Sequence, residues 1–78
     1  PNPGNAQVNI QFSLPQSVRV KIDIFNAVGQ QLQSRDMGML RAGHHVYRLD
    51  SSDLATGVYW VNVTAGAYQI KKKFSVLK

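Results

Sequence analysis

The side chains able to do chemistry gather in one stretch. His44, His45, Asp50, Ser51, Ser52 and Asp53 fall within ten residues. A hydroxyl nucleophile needs a base within hydrogen-bond reach and a third group to orient that base. The residue types for such a triad are present here. The framework is not, because no Gly-x-Ser-x-Gly elbow exists. The Ser51-Ser52 pair reads instead as a cap for one helical turn. Adjacent histidines on a strand point to opposite faces, so His44 and His45 make a poor pair of metal ligands. Asp50 and Asp53 lack the spaced oxygen donors of a calcium loop. The chain has no cysteine and no glutamate, and its four aspartates are dispersed. We expect no catalytic residue, no metal site, no cofactor and no enzymatic activity.

The second candidate is a basic cluster. Nine Lys and Arg against four acidic residues give a net charge of +5. Lys71, Lys72, Lys73 and Lys78 crowd the last segment, whereas Arg19, Lys21, Arg35, Arg41 and Arg48 are scattered. A nucleic-acid platform would interleave such cations with aromatics on one open face. Trp60 is the aromatic that would lie near Lys71 and Lys73 if their strands pair. The simpler reading is a solvated outer face whose lysines guard an edge, and we expect no nucleic-acid partner. Asn62-Val63-Thr64 matches the glycosylation acceptor pattern, but Asn62 falls in mid-strand and is given no weight.

The elements that must position these groups are strands. Val8, Ile10, Phe12 and Leu14 alternate with polar residues, and so do Val18, Val20, Ile22 and Ile24. A period of two marks half-buried strands at about 6–14 and 18–25, joined by Pro15-Gln16-Ser17 as a hairpin turn. Asn26 to Gly29 forms the next turn, with Gly29 supplying a positive φ. Gln30 to Asp36 reads as a polar edge strand. Gly38 and Ala42-Gly43 bracket Met39-Leu40-Arg41, a very short strand. His44 to Asp50 alternates again around Val46, Tyr47 and Leu49. Gly57 fits the left-handed position that ends the capped turn. Val58 to Ala65 is the most apolar strand, with Tyr59, Val61 and Val63 on one face. After Gly66-Ala67, the segment Tyr68 to Leu77 places Ile70, Phe74 and Val76 on one face and Lys71 and Lys73 on the other.

The pattern predicts an all-β fold, an immunoglobulin-like β-sandwich of six to seven short antiparallel strands. Tyr59 reads either as the tyrosine corner of such a sandwich, its hydroxyl bonded to backbone a few residues upstream, or as an ordinary buried aromatic. The 78 residues suffice for one small domain. No apolar run approaches the roughly 20 residues of a spanning helix, and no signal peptide opens the chain. Because Pro1 stands where Met would, we expect a single domain, 1–78, excised from a larger secreted protein.

The motifs also occur in a familiar order. Pro1-Asn2-Pro3 is followed by Leu14-Pro15, Phe25-Asn26-x-x-Gly29-Gln30 and Ala42-Gly43-x-His45. Asp50 with Leu54-x-x-Gly57-Val58-Tyr59 comes next, then Lys72-Lys73-Phe74-x-Val76-x-Lys78. Over essentially the whole chain this resembles the type A C-terminal sorting domains of the type IX secretion system of Bacteroidetes. One departure is Leu49-Asp50 where the family often has Trp-Asp.

The resemblance implies a signal that sends a carrier protein, fused upstream, across the outer membrane to the cell surface or medium by way of the periplasm. It implies the secretion machinery as partner and a surface sortase-like protease that removes the domain. It also implies that Lys72, Lys73, Phe74, Val76 and Lys78 form the recognised terminal strand. Gly57 and Tyr59 belong to the preceding motif, Gly29 and Gly43 to earlier ones, and Pro1 and Pro3 to the linker-proximal one. Within that strand Phe74 and Val76 are expected to anchor, with Lys72, Lys73 and Lys78 facing the translocon. An accessory module of a secreted enzyme, binding carbohydrate or spacing domains, is the alternative. An edge strand on so small a sandwich would also serve for weak pairing with a second copy.

Overall fold

A computed structural model describes residues 7–78. Pro1 and Pro3 lie outside the described residues. Six strands make up the fold: β1 (Gln7–Leu14), β2 (Val18–Asn26), β3 (Gln31–Leu40), β4 (Gly43–Asp50), β5 (Gly57–Ala65) and β6 (Tyr68–Val76). All pairing is antiparallel. β1 and β4 form a two-stranded sheet, and β3-β2-β5-β6 form a four-stranded one. This is the all-β, immunoglobulin-like sandwich that the alternation predicts.

The alternating apolar positions meet between the sheets. Ile10, Phe12 and Leu14 of β1 and Leu49 of β4 pack against Val20, Ile22 and Ile24 of β2 and Val61, Val63 and Ala65 of β5. Leu49, the position where the family often has Trp, is a fully buried member of this core. Burying such a side chain contributes about 1.5–3 kcal/mol. A domain without disulfides rests on these few residues.

Three features differ from the expectation. Pro15-Gln16-Ser17 does not close a hairpin: β1 pairs with β4, whereas β2 pairs with β3 and β5. The short link carries the chain from one sheet to the other, so that the apolar faces of β1 and β2 meet across the core. Met39-Leu40-Arg41 is not a separate strand. β3 runs on through Gly38, absorbing Met37 as a bulge where the register slips between Val20 and Lys21; the Gly38 N–H donates to Asp36 Oδ1 at 2.9 Å. The third difference is at residues 51–56, which form turns and no helix. Asp50 makes a side-chain contact there: its Oδ1 accepts the Ser52 N–H at 2.9 Å, and the Leu54 N–H closes a single turn on the Ser51 carbonyl at 3.0 Å.

Candidate functional site

The terminal strand β6 lies at the edge of the four-stranded sheet and, among the described residues, is paired with β5 alone. Its period of two sorts the motif residues. Val76 is buried and Phe74 half-buried. The Phe74 ring stacks on Tyr59 across the ladder, centroids 5.5 Å apart and planes 20° from parallel. Tyr59 is itself buried, and its hydroxyl donates to the Ala55 carbonyl at 2.6 Å. That is the tyrosine-corner reading of the two left open: the hydroxyl ties strand β5 back to the loop four residues upstream.

The structure separates the three motif lysines. Lys72 shares the inward side with Ile70 and Phe74, at the open flank of the sandwich. Its ammonium reaches across to β1 and donates to the Gln11 carbonyl at 2.7 Å. Lys78 folds back onto the β4–β5 loop, where its Nζ donates to the Ser52 carbonyl at 2.6 Å and its backbone N–H to Thr56 Oγ1 at 3.0 Å. Lys73 alone of the three lies on the outer face, beside Trp60, with its ammonium 5.7 Å from the ring centroid. The sequence already held this difference, since alternation puts Lys72 on the face opposite Lys71 and Lys73.

The loop beneath Lys78 has its own electrostatics. The Ser52 backbone N–H and hydroxyl, hydrogen-bonded to the Asp50 carboxylate, hold its pKa below the ordinary value against an opposing desolvation, and the Lys78 charge adds to the lowering.

The motif glycines do different jobs. Gly29 has φ 88° and Gly43 φ 122°. At the β2–β3 turn, Asn26 Oδ1 accepts the N–H groups of Val28 and Gln30 at 3.1 and 2.9 Å, which bends the chain so that Gly29 must take the left-handed conformation. Gly57 is the exception: it is not left-handed. It already belongs to the β5–β6 ladder, opposite Val76, and the ladder holds it extended.

The catalytic candidates do not assemble. His44 and His45 part to opposite faces. His45 stacks on Phe12, centroids 5.5 Å apart, with Nε2 2.7 Å from the Arg41 carbonyl. His44 Nδ1 meets Ser13 Oγ at 2.7 Å. This hydroxyl–imidazole pair is exposed, and among the described residues no carboxylate hydrogen-bonds to either histidine to orient it. Ser51 is buried, and Ser52 lies in the loop held by Asp50. No group of three or more metal-ligating side chains occurs among the described residues. Nor is any helix there long and apolar enough to cross a membrane.

What remains is a sandwich in which Gly57, Tyr59, Phe74, Val76 and Lys78 gather at the end of β6 and the loop beneath it. The family model described as the secretion system C-terminal sorting domain matches residues 1–77. The chain belongs to this family. It is a C-terminal sorting domain of type IX secretion, as the order of its motifs implies. Such a signal implies export of its carrier to the cell surface or extracellular space through the type IX machinery, and sorting domains are generally non-enzymatic. Comparison with curated proteins finds no match, and comparison with solved structures finds none.

Sequence reasoning missed one feature of the sorting domain's surface. Asp23, read as an ordinary solvent-side residue of β2, is only 7% exposed. No signal along the strand marks it, because its cover comes from neighbouring strands.

Proposed function

We propose that this domain carries a protein fused on its N-terminal side through the periplasm and the outer membrane, with β6 as the element that the secretion machinery reads, and that a surface sortase-like protease then removes it. The family match over residues 1–77 is the observation that supports this most. The physical reading adds a division of labour. Among the described residues no strand lies beside the outer edge of β6, so its backbone N–H and C=O groups are available to a partner strand. Phe74 and Val76 hold the strand to the core. Lys72 ties the middle of the strand, and Lys78 the residues just past its end, to main-chain carbonyls, and Lys73 is displayed outward to steer an acidic receptor.

The test is a secretion assay. The 78 residues are fused to the C-terminus of a periplasmically exported fluorescent reporter in a bacterium with the type IX system. The full fusion is expected at the surface or in the medium, and a fusion lacking Lys72 to Lys78 in the periplasm. Export of the truncated fusion at the full level sinks the role of β6. Retention of both sinks the sorting reading for this chain. A Lys73→Ala fusion that folds and is exported as well as the parent removes steering from the proposal.

A further inference from the structure

The outer face of the four-stranded sheet is more than a solvated surface. The register sets two rows across β2, β5 and β6: Phe25–Trp60–Lys73 and Asp23–Asn62–Lys71. In the first, two aromatic rings stand on adjacent strands, with Trp60 43% exposed. In the second, Asp23 Oδ1 and Asn62 Oδ1 are buried and have no hydrogen-bond donor among the described residues. Buried acceptors are nearly always satisfied in native proteins, and leaving one unmade costs about 1–3 kcal/mol. A depression of about 590 Å³ opens at this place, lined by Phe25, Trp60, Asn62, Gln69 and Lys71. Its size falls within the range of small-ligand sites.

The chemistry of the lining selects the ligand. An apolar molecule would leave the Asn62 acceptor unpaired. A phosphate or other compact anion would be repelled by the Asp23 carboxylate, the cross-strand neighbour of Asn62. A basic peptide would meet Lys71 and Lys73. A sugar meets all of the requirements: its hydroxyls donate to the Asn62 amide oxygen and accept from ammonium and amide N–H groups, and its C–H face lies on an aromatic ring. We propose that this face binds a short oligosaccharide, with Trp60 and Phe25 as the platform, Asn62 accepting from hydroxyls, and Lys71 donating. The site is independent of whether β6 is read by the secretion machinery.

The test is isothermal titration calorimetry of the 78-residue chain against three soluble polysaccharides: a neutral glucan, a mannan and a polygalacturonate. Saturable binding to at least one is expected. Asn62→Ala and Trp60→Ala should each weaken it at least tenfold, and Arg48→Ala on β4 should leave it unchanged. Circular dichroism checks the fold of each variant; if Trp60→Ala does not fold, Asn62→Ala on the sheet's outer face decides alone. No saturable heat with any of the three overturns the proposal. So does binding that survives both Asn62→Ala and Trp60→Ala, or a preference for single-stranded DNA that falls steeply with salt.

Discussion

Tyr59 joins three parts of the molecule through one side chain. Its ring lies in the core against Phe74, and its hydroxyl reaches Ala55 in the β4–β5 loop. The two contributions separate by mutation. Tyr59→Phe keeps the ring and removes one partly buried hydrogen bond, so unfolding in urea should show a loss of about 1 kcal/mol. Tyr59→Ala removes the packing as well, and a loss of about 3–5 kcal/mol is expected, close to the whole stability of so small a domain. Equal losses in the two variants would mean that the hydroxyl, and not the stack, does the work. At this scale the sequence was informative about Tyr59 and silent about Asp23. A tyrosine just inside a strand after a Leu-x-x-Gly turn has a local signature. An aspartate between Ile22 and Ile24 looks solvent-facing, and only the neighbours brought by β5 and β3 bury it.

Among the elements, strands and their inward faces were legible because alternation is a property of each strand alone. Pairing was less so. A three-residue link after Leu14 fits a hairpin or a crossing between sheets, and β1 carries no mark naming β4 as its partner. Gly38 reads as a break, yet a bulge lets β3 keep its partner. Gly57 looks like the stop of a helical turn, but the ladder with β6 already holds it extended. The glycines at the two strand starts therefore respond oppositely to an added methyl. Gly43→Ala forces a side chain to φ 122° and should cost about 1–3 kcal/mol. A Cβ at Gly57 would meet its nearest neighbour, Tyr59 Cε1, at an ordinary 3.9 Å; Gly57→Ala should be neutral or stabilise by up to about 1 kcal/mol. Thermal melts of the two variants check this, and a large loss at Gly57 would contradict the extended backbone.

The β4–β5 loop adds a pH dependence. The lowered Asp50 pKa means that its contribution to stability is present above the ordinary carboxylate pKa of about 3.9 and is lost as pH falls through the folded-state value. Asp50→Asn should lower the urea midpoint at neutral pH, and its difference from the parent should shrink as the solution is acidified. A difference independent of pH would show that the charge is not involved.

On the scale of the whole molecule, two strands cover four, so the flanks of the larger sheet overhang the smaller one. Lys72 closes one such flank by reaching Gln11, a role that no count of charges reveals. The apolar core joins the sheets, and the polar surface divides between a terminal strand offered at its edge and an outer face bearing Trp60. The bulk of this architecture follows from composition and alternation. The site does not, because it depends on which strands lie side by side.

Gln7 pairs with Asp50, and Lys78 is bonded to Ser52 two residues further on. The first described residue and the last therefore sit at the same pole of the sandwich. Tension applied between a carrier on one end and a grip on the other would not shear the ladders along their length. It would open the Lys78 contacts and then the β1–β4 pairs one at a time, from Gln7 toward Leu14, so that the domain behaves mechanically as a zip that yields to a weak pull.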